Sequence, residues 1–278
     1  MNGVRAGLVQ LSVGDDPAAN LPVTRDLIRQ AAAQGAQVVL TPECTNLISS
    51  DRDHQARVLR HEDQDETLAA LRAEAEALAI WLLIGSLALK AEAGDRFANR
   101  SLLIAPDGSI AARYDKIHMF DVDVSDTERY RESAAYRPGD RAVLAPAPFG
   151  GLGMTICYDL RFPHLFRALA QAGAQVIAVP AAFNDTTGAA HWEPLLRARA
   201  IETTSYILAP AQCGSHGTHD GRIRRTHGHS LAVSPWGEVL ADGGAEPGVH
   251  LVTLDAAEVA RARARIPSLT HDRPFEAP

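Results

Sequence analysis

Gly153-Met154-Thr155-Ile156-Cys157-Tyr158-Asp159-Leu160-Arg161-Phe162-Pro163 is the stretch on which the reading of this chain turns. Residues 142–156 leading into it are largely apolar but broken by Pro and Gly, and the last piece, 152–156, reads as a buried strand. Beyond it, Phe162, Leu165, Phe166 and Leu169 recur at helical spacing, with Pro163 where a first turn tolerates proline. Cys157 is therefore expected at the carboxyl end of a strand, just before a helix N-terminus. Free backbone N–H groups and the helix dipole favour a thiolate in that place. An α/β protein sets a nucleophile there, whereas the plainer role of one cysteine is a small buried core residue.

Working outward, strands are expected at residues 4–10, 36–40, 80–87 and 100–105, with helices over 20–34 and Glu66–Leu78. Leu21, Leu27, Ile28 and the three alanines from Ala31 give the first helix its apolar side. A Pro106-Asp107-Gly108 turn precedes an extended run, 110–118, that carries Lys116. Residues 121–140 read as a polar loop containing Glu132. After the cysteine come a strand (174–181), a helix (190–204) and a strand (206–213). Residues 214–226 read as a long polar loop, 230–240 with 248–254 as a closing strand pair, and 256–266 as a last helix. An irregular tail follows from residue 267. This alternation implies an α/β protein. It suits two stacked sheets covered by helices on each side, and periodicity alone does not separate that from one doubly wound sheet.

With 278 residues, 46% of them hydrophobic, and no Ser/Gly/Pro-rich linker, the chain is expected to form one domain over 1–278. A formal charge of -7 without long runs of either sign argues against a nucleic-acid or membrane partner. Attraction for an acidic substrate must then come from a local pocket. Cys44, Cys157 and Cys213 are too few and too scattered for a disulfide framework, which points to a reducing, cytoplasmic setting. No uninterrupted apolar run reaches about 18 residues, so neither export nor spanning of a membrane is expected.

A thiolate attacking a carbonyl carbon needs a base and a donor for the developing oxyanion. No histidine is placed by spacing to be that base. Glu43 and Lys116 stand out instead, each at the end of an apolar strand as Cys157 is, so the three are expected to converge on one rim of the sheets. Taken singly, such charges are ordinary solvated residues.

Taken together, Thr41-Pro42-Glu43, Tyr114-Asp115-Lys116-Ile117-His118 and the Cys157 stretch resemble the nitrilase superfamily of carbon–nitrogen hydrolases. The resemblance continues through Thr187-Gly188-Ala189-Ala190-His191-Trp192-Glu193, Arg197-Ala198-Arg199-Ala200-Ile201-Glu202, Gly228-His229-Ser230 and Pro235-Trp236-Gly237. It implies a four-layer α-β-β-α sandwich that assembles as a homodimer or higher homo-oligomer. It implies a Glu43–Lys116–Cys157 triad, with Glu43 raised in pKa by burial and accepting the thiol proton. Lys116 and the backbone N–H after Cys157 would stabilise the oxyanion, and Glu132 would match the family's second glutamate, orienting the lysine. No cofactor and no metal is called for. Within the family the chain resembles the small amidases that act on ω-amides of 2-oxo acids, either deaminated glutathione or 2-oxoglutaramate. The same triad also serves nitrilases and N-carbamoyl amino acid amidohydrolases, and a non-catalytic protein of the same fold is the remaining alternative.

For the substrate, Tyr158, Phe183 and Asn184 are pocket candidates, and Arg161 is a candidate bidentate partner for a carboxylate. His118 is a candidate support beside Lys116. Arg199 and Glu202 read as a structural pair on one helix. His227-Gly228-His229 lacks further ligands at metal-binding spacing, and Gly151-Leu152-Gly153 lacks the rest of a dinucleotide fingerprint.

Overall fold

The computed structural model describes residues 3–91, 94, 96–124, 128–217, 221 and 223–276. In chain order the elements are β1 (Val4–Gln10), α1 (Pro17–Ala33), β2 (Val38–Leu40), α2 (Arg52–Val58), α3 (Glu66–Leu78), β3 (Trp81–Lys90), β4 (Phe97–Ile104) and β5 (Ile110–Asp115). Then follow β6 (Asp121–Asp123), β7 (Arg129–Arg131), β8 (Val143–Ala147), β9 (Gly150–Met154), α4 (Pro163–Gln171), β10 (Ala174–Ala178), α5 (Asp185–Thr203) and β11 (Tyr206–Ala209). The last are β12 (Cys213–Gly217), β13 (Ile223–His227), β14 (Leu231–Val233), β15 (Val239–Asp242), β16 (Gly248–Leu254) and α6 (Ala256–Arg265).

Two six-stranded sheets result, in the orders β16-β1-β2-β3-β4-β5 and β15-β14-β11-β10-β9-β8. Strand residues alternate between the two sides of the first sheet. Ala6, Leu8, Val38, Leu40, Leu83 and Leu103 face a core shared with Leu152, Met154 and Val176 of the second sheet. Their neighbours Val9, Val39, Leu82, Ile84, Leu102 and Ile104 face the other way, onto Ile28 and Ala31 of α1 and Leu68, Leu71 and Ala75 of α3. Strands apolar on both sides are what a sheet buried between layers requires. Helices α4 and α5 cover the second sheet, through Phe166, Leu169, Trp192 and Leu196. The open choice is thereby decided in favour of the four-layer sandwich.

Three expectations are corrected. Residues 230–240 and 248–254 do not pair with each other: β14 and β15 close the second sheet, while β16 crosses to the first and lies antiparallel to β1. The Gln10 side chain holds the crossover, donating to the carbonyls of Gly243, Gly244 and Glu246 at 3.2, 2.9 and 2.8 Å. The expected 214–226 loop contains the antiparallel ladder of β12 and β13, and its residues 218–220 and 222 lie outside the described residues. Its buried face is polar rather than apolar: His216 bonds Val13 O and Thr226 Oγ1, both at 2.7 Å. That pairing left no hydrophobic alternation to read. The 121–140 loop likewise holds a short β6–β7 pair and a single turn at Glu132–Ala134. Among the described residues no helix is long and apolar enough to cross a membrane.

Candidate active site

Three strand ends meet. Glu43 follows β2, Lys116 follows β5, and Cys157 follows β9 of the other sheet. The Glu43 loop is locked against a bulge in β3, where Thr41 Oγ1 accepts from Gly85 N at 3.0 Å and Cys44 N donates to Ser86 Oγ at 2.9 Å. A Cβ on Gly85 would stand 2.0 Å from Thr41 O and 2.5 Å from Pro42 O, so only glycine allows this approach. Glu43 is consequently buried, 3% exposed. Its Oε1 accepts from Lys116 Nζ and from Asn99 Nδ2, each at 2.9 Å, and its Oε2 accepts from Ala182 N at 2.8 Å.

The Lys116 ammonium also donates to Glu132 Oε2 at 2.8 Å and Oε1 at 3.0 Å. Glu132 is fixed in turn by the Phe120 N–H, 2.7 Å from Oε2. Cys157 opens a single turn, Cys157–Arg161, with φ +48°, a left-handed conformation that costs a non-glycine residue about 1–2 kcal/mol. The surroundings impose it. Cys157 N donates to Pro180 O at 3.0 Å, and the carboxylate of the fully buried Asp159 clamps the turn. Asp159 accepts from Ile156 N (2.9 Å), Tyr114 OH (2.6 Å) and His118 N (3.1 Å), with His118 Nδ1 at 2.7 Å. Arg199 Nε donates to Leu160 O at 2.9 Å and pairs with Glu202 at 2.9 Å, as its helical spacing predicts.

The electrostatics reverse two expectations. Burial pushes the Cys157 thiol well above its usual value, and the facing Glu43 carboxylate adds to this against the pull of Lys116. The helix that was expected to lower it begins only at Pro163, past the intervening turn. Burial alone would raise Glu43, but the touching Lys116 ammonium outweighs it and holds the carboxyl down, to about 2. Burial would likewise lower Lys116, and the Glu132 and Glu43 carboxylates overcome that and keep it an ammonium. The resting site is a thiol, a carboxylate and an ammonium.

These groups line a cavity of about 540 Å³, as do Tyr158, Phe183 and Asn184. Asn184 also caps α5, its Oδ1 accepting from Thr187 N at 3.0 Å. Arg161 and His118 are not part of the cavity wall. His118 stacks on Phe162 with ring centroids 3.5 Å apart and serves the Asp159 clamp. Arg161 lies 3.3 Å from His191 Nδ1, its guanidinium 5.5 Å from the Phe183 ring centroid, because the turn carries it to the outer side. Arg161→Ala is therefore expected to change kcat/KM by about threefold, the worth of an exposed cation–π contact, and equally for amides with and without a carboxylate. A rise in KM confined to the charged amide would return Arg161 to the pocket.

Residues not singled out from sequence complete the site. Asn99, the first of three successive polar residues in β4, bridges Glu43 and Glu132, the latter at 3.3 Å. Gln212 donates to Glu43 O at 3.0 Å. Arg224, on β13, reaches the cavity from the segment that reads as a loop. His227 and His229 stack at 4.7 Å, and among the described residues no group of three or more His, Cys, Asp or Glu side chains is arranged to hold a metal ion.

The carbon-nitrogen hydrolase family profile matches residues 5–264. Deaminated glutathione amidase of Yersinia enterocolitica is 41% identical over 98% of this chain and 94% of its own. Omega-amidase NIT2 of Homo sapiens is 35% identical over 98% and 96%. The crystal structure of the C. elegans NitFhit protein superposes with a TM-score of 0.90 at 33% identity, covering 98% of this chain and 66% of that one, so this chain corresponds to a part of the worm protein. With the match running through every strand end that meets at the cavity, the chain belongs to the carbon–nitrogen hydrolases, enzymes that act on carbon–nitrogen bonds other than peptide bonds.

Proposed function

We propose that this chain hydrolyses the ω-amide of a small 2-oxo acid through a thioester on Cys157, with deaminated glutathione or 2-oxoglutaramate as substrate. The observation that carries the reading is the burial, in one cavity, of a strained cysteine turn with the Glu43–Lys116 pair. The names of the relatives support the choice of amide.

The chemistry follows from the resting proton distribution. Sulfur attacks the amide carbon as its proton passes to Glu43, so no free thiolate accumulates. Negative charge thereby moves from Glu43 to the amide oxygen. The Lys116 ammonium, held by Glu132 throughout, keeps an anionic partner in both states. The N–H of Tyr158, at the start of the turn where helical N–H groups have no acceptor of their own, is the second oxyanion donor. Each such donor is worth roughly 3 kcal/mol, about a hundredfold in rate. Collapse of the tetrahedral adduct breaks the C–N bond, and Glu43 returns the proton to the departing nitrogen. Glu43 then deprotonates a water that attacks the thioester, releasing the acid and restoring the thiol. The two substrates share one acyl half and hence one thioester; they differ in the amine released.

The test is release of ammonia or amine from a panel of deaminated glutathione, 2-oxoglutaramate, an aliphatic amide, a nitrile and an N-carbamoyl amino acid. A preference for one of the first two is expected. Preference for the nitrile or the carbamoyl compound would overturn the substrate assignment.

A further inference from the structure

Arg224 faces His216 across the β12–β13 ladder, and its side chain shares the cavity with Glu43, Lys116 and Cys157. One Nη2 donates to Ala182 O at 2.8 Å, and the guanidinium carbon lies 5.8 Å from the Tyr130 ring centroid. Its Nε is shut off from solvent and has no hydrogen-bond partner among the described residues. Nor is it ion-paired with any carboxylate among them. Lys116, by contrast, is committed to Glu43 and Glu132, and Arg131 to Asp123. A half-buried guanidinium whose Nε is closed off from water with its donor unmet is unfavourable until an acceptor arrives, and its planar fork matches a carboxylate. In a chain of net charge -7, a local cation of this kind is also what draws an anion into the cavity.

We propose that Arg224 receives the carboxylate of the substrate's acyl half, so that the β12–β13 hairpin sets the demand for an anionic acyl group. This rests on the 2-oxo-acid amide reading above. Because that acyl half is common to 2-oxoglutaramate and deaminated glutathione, Arg224 acts on both alike and does not choose the amine.

The experiment compares wild type, Arg224→Gln and Arg224→Lys on 2-oxoglutaramate, deaminated glutathione and the neutral five-carbon pentanamide. In Arg224→Gln, kcat/KM for the two anionic amides relative to pentanamide should fall by about 10- to 100-fold, through KM and by the same factor for both. Arg224→Lys, keeping the charge without the fork, should fall less. An equal loss on all three amides would make Arg224 a prop for Ala182 and Glu43, and an unchanged ratio would remove it from substrate binding. A second readout needs no turnover: protection of Cys157 from iodoacetamide by 2-oxoglutarate, followed by mass spectrometry at that cysteine. Protection in wild type that is lost in Arg224→Gln and weakened in Arg224→Lys supports the assignment even if the amide panel fails. Equal protection in all three proteins overturns it even if the panel succeeds.

Discussion

Cys157→Ala is expected to lower kcat by about 10⁶-fold, to the level at which other nucleophile deletions leave only binding and oxyanion stabilisation. The fold should be untouched. The left-handed turn is imposed by the Pro180 carbonyl and the Asp159 clamp, neither of which uses the sulfur, and alanine meets the same backbone strain that cysteine does. Removing a thiol whose ionisation is opposed by burial and by Glu43 also takes away no charge from the resting site. The check is kcat on the preferred amide beside the thermal unfolding midpoint. Activity near wild type with an intact fold would sink the nucleophile assignment.

Glu43→Gln is expected to reduce thioester formation by about 10⁴-fold, the upper range for loss of a positioned proton acceptor. The single oxygen of the glutamine can accept from Ala182 N or from Asn99 and Lys116 but not from both sides, so the unfolding midpoint is read beside the rate to separate loss of the proton acceptor from loosening of the scaffold. With the thiol held protonated, the carboxylate facing it is Glu43, while both oxygens of Glu132 accept from Lys116. Rapid-quench mass spectrometry of the acyl adduct reads this step directly. An adduct accumulating at the wild-type rate would confine Glu43 to hydrolysis of the thioester. The same variant carries a stability signature. Glu43 is depressed below its usual value near 4.5, so the ionised pair with Lys116 contributes fully above that pH and is lost as pH falls towards about 2. Acid unfolding of Glu43→Gln should lack this part of the decline.

Much of the site was legible because it sits where strands end. Glu43, Lys116 and Cys157 each stand at a strand end, where singly they read as solvated charges or a small core residue and only their three motifs together pointed to a site, and β1, α3, α4 and α6 announced themselves by periodicity. Asn99, one of three successive polar residues inside β4, left a signal that can be recognised once its partners are known. Arg224 left none. It lies on a hairpin whose buried side is His216 and Thr226, and a strand that satisfies polar groups looks like a loop to any reading of hydrophobic alternation.

Local pattern and residue type gave the α/β class and the order of most elements, whereas the joint role expected of Glu43, Lys116 and Cys157 came from the family resemblance that their motifs carry together. Three features needed the folded chain: β16 crosses to β1, Arg161 turns outward while Arg224 turns in, and the thiol is neutral beside an ionised Glu43. The physical reason is common to all three. Strand partners, side-chain direction at a tight turn and the balance of desolvation against charge each depend on atoms distant in the chain, and Glu43 with Lys116, 73 residues apart yet 2.9 Å from contact to contact, is the measure of that distance.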